Sequence, residues 1–359
     1  MALLSNYVEF KNGKKRPLAK GKTPVYGGNG ILDYTNDSNM DYGVVIGRVG
    51  VYCGNVFLVK EKCWVSDNAI KGICRENIDT TYLYYLLSSL QLNERRIGTS
   101  QPLLTQSILN NIEVNIPSLE IQKKISNILE TLDNKITLNN EINNNLEQQA
   151  RTIFENEFLS LKMLPDGWKQ GSLVDIANYL NGLAMQKYRP NVNEISIPVL
   201  KIKELRQGCC DNNAELCSPN IKSEYIVHDG DVIFSWSGSL LVDFWCGGVC
   251  GLNQHLFKVT STDYDKWFYY SWTKYHLDRF IAIAADKATT MGHIKRDDLA
   301  KAEVLIPHEA DYNRIGSLLQ PIYDLIIANR IENKKLTDTR DNLLPKLMSG
   351  EIDVSNIEL

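Results

Sequence analysis

Six cations, Lys11, Lys14, Lys15, Arg16, Lys20 and Lys22, fall within twelve residues with no acidic residue among them. Clustered ammonium and guanidinium groups of this kind displace counterions from a phosphate backbone, so the chemistry they offer is polyanion contact. Gly13, Gly21 and the turn Tyr26-Gly-Gly-Asn-Gly30 lie beside them, and a backbone without Cβ can approach a phosphate closely. Asn29 adds an amide, and Arg48, in Ile46-Gly-Arg-Val-Gly50, adds a planar fork of donors. A second set, Lys187, Arg189, Lys201, Lys203 and Arg206, follows Asn181-Gly182 as the first set follows Asn12-Gly13. Two further segments, one carrying Thr99, Ser100 and Gln101, the other Thr289, Thr290, His293, Lys295 and Arg296, supply hydroxyls, amides and cations, the groups that contact base edges and backbone. The plain alternatives are a solvated loop for the cations and tight core turns for Ile46–Gly50 and Ser235-Trp-Ser-Gly-Ser239.

Signs of catalysis are missing from the sequence. A DNA amine methyltransferase needs an Asn/Asp-Pro-Pro-aromatic tetrapeptide, and neither that nor G-x-G-x-x-G or G-x-x-x-x-G-K-[ST] occurs. The five histidines have no paired metal-ligand spacing, and the eight cysteines include no C-x-x-C, so no metal site and no catalytic residue is expected. Free thiols, the lack of a signal peptide and the absence of any long apolar run lead to a cytoplasmic expectation. The net charge of −4 leaves room for a single basic face.

The elements that must hold these residues occur twice. Residues 98–150 reappear 190 positions later as 288–340, with twelve identities against about three expected from average composition. The shared positions include the dipeptides Ile116-Pro117 and Ile306-Pro307. After each dipeptide comes a 4,3,4,3 spacing that marks an a/d seam. The first seam is Ile125, Leu129, Leu132, Ile136, Asn139, Asn143 and Leu146; the second is Ile315, Leu319, Ile322, Ile326, Asn329, Asn333 and Leu336. Helices are predicted over 119–158 and 310–347, with Pro345 disturbing the last turn. If they run antiparallel, Asn139 faces Asn333 and Asn143 faces Asn329. An unpaired amide against an aliphatic side chain is costly, so the asparagines fix one register.

Before each helix lies a strand-rich part with glycine turns. Gly230–Phe234 answers Gly43–Ile46 there, and Asn253–Val259 answers Asn68–Cys74. Tyr82-Leu-Tyr-Tyr-Leu86 matches Trp267-Phe-Tyr-Tyr-Ser271, and both read as packing helices. The fold class expected is α+β: two similar domains joined by two long antiparallel coiled-coil helices, with an internal pseudo-two-fold repeat.

With this organisation the chain resembles the specificity subunit of a type I restriction-modification system. Local matches are Pro24–Ile31, Ile46–Gly50 and Trp64-Val-Ser-Asp-Asn-Ala69 in the first domain. In the second they are Gly167-Trp168, Gly230–Ser239 and Leu252-Asn-Gln-His-Leu-Phe257, with Leu343–Gly350 closing the second helix. One departure is the short lead before Tyr7-Val-Glu-Phe10, so that the first domain is expected to lack its opening strand or to start late. The resemblance implies a first target-recognition domain at 1–117, a first conserved helix at 118–160, a second recognition domain at 161–307, and a second helix and tail at 308–359. It implies that each domain reads one half of a bipartite asymmetric site in double-stranded DNA, with the helices setting the gap. It further implies docking of two modification (methyltransferase) subunits carrying S-adenosylmethionine, and of restriction subunits carrying ATP and Mg, with no cofactor on this chain and no membrane. The rival readings are an atypical methyltransferase or nuclease and a structural adaptor that never touches DNA.

Overall fold

The computed structural model describes residues 1–98, 102–286 and 293–357. The chain divides into two compact units, Met1–Asn134 with Thr337–Leu359, and Lys135–Leu336. In order, the first part contains β1 (Ala2–Leu3), β2 (Val8–Asn12), β3 (Thr23–Gly27), β4 (Gly30–Thr35), β5 (Gly43–Gly47), β6 (Val56–Val59), β7 (Trp64–Val65) and β8 (Ala69–Cys74). The helices α1 (Thr80–Ser89) and α2 (Gln106–Asn110), then β9 (Glu113–Val114) and the long α3 (Leu119–Phe154), follow. The second part holds β10 (Lys169–Ser172), α4 (Leu173–Ile176), β11 (Asn178–Asn181), β12 (Ile197–Leu200), α5 (Ile202–Gln207), β13 (Leu216–Cys217) and β14 (Ile226–Val227). It continues with β15 (Val232–Ser235), β16 (Leu241–Phe244), β17 (Cys250–Leu252), β18 (Leu256–Thr260), α6 (Lys266–Tyr275), α7 (Leu277–Asp286), α8 (Arg296–Ala300), β19 (Glu303–Ile306) and α9 (Glu309–Ser349).

The two units repeat one topology. The antiparallel sheet β2-β8-β5-β6 is matched by β11-β18-β15-β16. A parallel pair, β3 with β7, is matched by β12 with β17, and each pair carries an antiparallel neighbour, β4 or β13. The ribbon β1-β9 is matched by β10-β19, so the first unit does have its opening strand, shortened to two paired positions against four.

Local chemistry sets the helix starts. The Asp79 carboxylate accepts from the Tyr82 amide at 2.8 Å and the Thr105 hydroxyl from Ile108 at 3.2 Å, so both caps satisfy amides that have no partner inside the helix. The aromatic helices pack inward. Tyr82, Leu83 and Leu86 join Val8, Phe10, Val44, Ile46 and Ile70 in the first core. In the second core Trp267, Phe268, Tyr270 and Trp272 meet Phe234, Phe244 and Phe257, with the Phe244 and Tyr270 rings stacked at 3.9 Å.

Both long helices feed these cores. Ile125, Leu129 and Leu347 lie in the first; Ala150, Phe154, Ile315, Leu319 and Ile326 lie in the second. Beyond Phe154 the backbone widens into a π turn, Glu155–Leu159, which carries Phe158 into contact with Trp168 and Trp272. The second helix runs two residues beyond the expected end, to Ser349, and keeps its helical form past Pro345, with Leu347 buried and Leu343 and Leu344 packed against the first core. The tail then returns, with Val354 buried in the first core and Lys124 donating to the Ser355 carbonyl at 2.7 Å.

Within the second unit α3 and α9 lie antiparallel. The Asn139 amide donates to the Asn333 carbonyl oxygen at 2.9 Å, and Asn329 donates to Asn143 at 2.9 Å, the pairing the spacing predicts. Asn139 also reaches Glu332 at 2.7 Å, and Asn333 donates to Asn140 at 2.9 Å. The flanking positions Leu132, Ile136, Leu146, Ile322 and Leu336 are half-buried. In this unit Arg330 bridges Glu147 of α3 and Asp243 of β16 at 2.8 and 2.6 Å. In the first unit Arg340 meets Asp133 at 2.7 Å, and the Tyr85 hydroxyl donates to the same carboxylate at 2.6 Å.

Among the described residues the buried Asn139 carbonyl oxygen has no hydrogen-bond partner, so the amide step is bought at a cost in stability. Replacing Asn139, Asn143, Asn329 and Asn333 together by leucine is expected to raise the melting temperature while permitting slipped registers. Cross-links between cysteines engineered along α3 and α9 should then spread over several pairs; a single unchanged pairing would show that the asparagines do not set register.

Candidate functional site

The end of β5 is the meeting point of four loops in the first unit. Gly13 donates to the Ala69 carbonyl at 2.9 Å, and Lys14 donates to Val65 at 3.0 Å. Arg48 donates its backbone N–H to the Asn68 carbonyl at 3.0 Å, and its own carbonyl accepts from Leu104 at 2.9 Å. The turn Gly27-Gly28 sits against Gly47 and Asn68, which brings Asn29 to the same place. Of the cations read from the sequence, Lys14 and Arg48 thus come together there with Asn29.

The second unit builds the same frame. Gly182 donates to Leu256 at 3.0 Å, Leu183 to Leu252 at 2.9 Å, and Ile294 to the Trp236 carbonyl at 3.1 Å. The bridges Lys14↔Ser66 and Val49↔Leu103 are matched by Leu183↔Asn253 and Ser237↔His293. These pairings align Ser66 with Asn253 and Asn68 with His255, a correction of two residues to the expected match of Asn68 with Asn253. The register of the central strands likewise aligns Val44 with Val232, so Gly43 answers Asp231 and not Gly230.

Gly13 and Gly182 serve a different purpose from the one expected. A Cβ on Gly13 would lie 2.0 Å from the Ser66 carbonyl oxygen, and one on Gly182 would lie 2.2 Å from that of Asn253. Their bare faces are filled by the chain's own backbone, not left open to a phosphate. Gly50 and Gly238, at φ +71° and +64°, are less crowded, a Cβ meeting nothing within 4 Å at Gly50 and only Ile202 Cδ1 at 3.7 Å at Gly238, and the frame places them at the same position of the two turns.

Side chains at these turns differ. Arg48 is half-buried; its guanidinium makes one long contact, 3.5 Å to the Asp67 carbonyl, and its buried Nε has no partner among the described residues. The turn tip beyond it is apolar, with Val51 83% exposed and Val49, Tyr52 and Ile97 also exposed. At the matching position Trp236 is half-buried, its indole N–H donating to the Asn181 side chain at 3.0 Å. The His255 and His293 rings flank it with centroids at 6.1 and 5.2 Å, and His255 Nδ1 lies 3.1 Å from the Ser237 hydroxyl. The Ser235 hydroxyl donates back to the Ser239 carbonyl at 2.9 Å, so both expected readings of this turn meet: a tight base and an accessible tip.

Other cations lie elsewhere. Lys15, Arg16, Lys20 and Lys22 are exposed on the segment beside β4, where Gly21 donates to Tyr34 and Arg16 lies 3.7 Å from Asp33. Lys187 is exposed at the end of a short 3-10 turn, Met185–Lys187. Arg189 and Lys201 both pair with Glu215, whose carboxyl is held below its usual range by the hydrogen bond from Lys201. Lys203 pairs with Asp211 at 2.9 Å, which lowers that carboxyl in the same way. Lys295 and Arg296 are exposed at the start of α8. Thr99, Ser100, Gln101, Thr289 and Thr290 lie outside the described residues. Sequence reasoning gave no role to Asn181, His255 or Trp236, although the shared Gly50 and Gly238, once aligned, point to them.

Residues 8–148 and 165–337 match the family described as the type I restriction modification DNA specificity domain, which thus occurs twice. The chain belongs to that family. Over 336 residues this specificity-family chain is 26% identical to the type I restriction enzyme MjaIX specificity subunit of Methanocaldococcus jannaschii, covering 85% of this chain and 76% of that protein. The type I restriction enzyme HindI specificity subunit of Haemophilus influenzae is 21% identical over 335 residues, covering 72% and 73%. The crystal structure of the S subunit of a type I restriction-modification system from M. genitalium shares the fold, at a TM-score of 0.64 and 16% identity over 99% of this chain and 96% of that one. No helix among the described residues is long and apolar enough to cross a membrane.

The two-fold use of one frame gives the family's repeated domain a direct check. Gly13→Ala and Gly182→Ala should each destabilise by about 1–3 kcal/mol through overpacking against a carbonyl oxygen. Thermal unfolding of each variant measures this, and an unshifted melting curve for either would mean that the close approach is not required there.

Proposed function

We propose that this chain is the DNA sequence-specificity subunit of a type I restriction-modification complex and is itself not catalytic. Each unit reads one half of a bipartite, asymmetric site in double-stranded DNA through the loops at the ends of β5 and β15. The paired helices α3 and α9 act as the spacer between the two recognition domains and as the docking surface for two modification subunits. Those subunits bring S-adenosylmethionine and transfer its methyl group to adenine N6; restriction subunits, where present, bring ATP and Mg.

The observation that supports this most is the hydrogen-bonded frame built twice with different side chains at its open turn. One scaffold with two chemistries is what an asymmetric site asks for, because two identical readers would select two identical halves. Joining two weak readings in one chain multiplies their selectivity, since the second contact becomes intramolecular. The exposed cations Lys15, Lys20, Lys22 and Lys187 suit the sequence-independent phosphate contacts, and Lys14, Asn29 and Arg48 suit the base edges. Lys295, Arg296 and His293 would serve the second unit in the same two ways. Arg189, Lys201 and Lys203 contribute only after leaving their carboxylate partners, so they are weaker candidates.

The test is to co-express the chain with its modification subunit and map methylated adenines across a genome. The expected result is one bipartite motif with a fixed gap that disappears when this chain is omitted. Methylation indifferent to the chain, or methylation by the chain alone, would overturn the proposal.

A further inference from the structure

Arg48 and Trp236 occupy one position in a turn that the fold constructs twice. Each follows the last residue of a central strand, Gly47 or Ser235, and each gives its carbonyl to the amide of a returning segment, Leu104 or Ile294. Each is followed at the second residue by a glycine in the left-handed region, Gly50 or Gly238, where a Cβ would meet no backbone. The backbone around the two side chains is therefore shared, and what differs is their chemistry.

Arg48 holds donors in reserve. Among the described residues its buried Nε is unpartnered and its one side-chain hydrogen bond is at the 3.5 Å limit, so the guanidinium loses little on turning to a new acceptor. Trp236 is the opposite case, because its single donor is already committed to Asn181. Part of its ring packs against Phe257, with centroids at 5.6 Å, and what it can still offer is the rest of its apolar surface, bordered by His255 and His293 and by the small residues Ser237 and Gly238. A planar donor fork matches the O6 and N7 acceptors of guanine, whereas an apolar surface matches the C5 methyl of thymine.

We propose that Arg48 and Trp236 are the corresponding specificity-determining residues of the two units, Arg48 selecting a guanine in one half-site and Trp236 selecting a thymine in the other. The assignment rests on the function proposed above and deepens it to single positions. It makes the second unit's selection at this point one of shape and apolar contact, without a hydrogen bond from the indole.

The experiment is the methylation map of the complex formed by the full chain and its modification subunit, repeated for Arg48→Ala, Arg48→Gln, Trp236→Ala and Trp236→His, with the melting temperature of each chain recorded. The unmodified chain comes first: if it yields no bipartite motif, the proposed function fails before this assignment is reached. Given such a motif, Arg48→Ala is expected to relax one guanine position of one half-site by roughly 5- to 150-fold, and Arg48→Gln to shift that position towards adenine. Trp236→Ala is expected to relax one thymine position in the other half-site only. Should Trp236→Ala melt early, Trp236→His, which keeps a ring there but presents a polar edge, must still lose the thymine. An unchanged motif, relaxation of both halves by one variant, or loss of activity that merely follows the melting temperature would overturn the assignment.

Discussion

A buried amide step in an otherwise aliphatic seam limits how α3 and α9 can lie together. Asn139 and Asn143 are almost fully buried, and both find their amide partners on α9 together in one register alone. Slipping either helix by a turn would leave one amide of each helix against leucine or isoleucine, at the cost of unmet buried polar groups. The same helices deliver Ile125 and Leu129 to one core and Ile315, Leu319 and Ile326 to the other. Register, once set by the asparagines, thus also decides which side chains each core receives. Arg330 and Arg340 then clasp Glu147 and Asp133 on α3 within their own units.

On that base each unit presents a rigid frame with a variable turn. The hydrogen bonds that return Leu104 to Arg48 and Ile294 to Trp236, at 2.9 and 3.1 Å, tie distant segments together, and the glycines of the same frame, Gly13 and Gly182, are fixed by contact with the chain's own carbonyls. Freedom is left at Gly50 and Gly238 and at the side chains beside them. Such a division lets the side chains of the turn differ while the strands below keep their register, even though Trp236 still packs against Phe257 of the second core. It accounts for units so similar in strand order and so different at Val49–Tyr52 and Ser237–Leu240.

Much of this was legible in the sequence. The repeat at 190 residues, the asparagine pairing and the inward packing of the aromatic helices follow from periodicity, which reports burial directly. What was not legible depends on contacts between segments remote in the chain. Glu215 neutralises Arg189 and Lys201 across a loop, so cations that look free in sequence are paired in space. The shift of Asn253 from Asn68 to Ser66 is set by backbone hydrogen bonds, which side-chain identity does not reveal. The return of Val354 to the first core has no periodic signal, since the tail is not a regular element. The turn that carries Trp236 is visible in the sequence, but its equivalence to Arg48 is not, because the two side chains share nothing and only the frame aligns them.

The central claim is that each unit alone determines one half of a recognised site. The most direct measurement is the methylation motif directed by a chain in which residues 161–307 are replaced by a second copy of residues 1–117. The account predicts a motif in which the half-site owed to the first unit occurs twice and the other half is absent. A motif that retained the second half-site despite the replacement would contradict it.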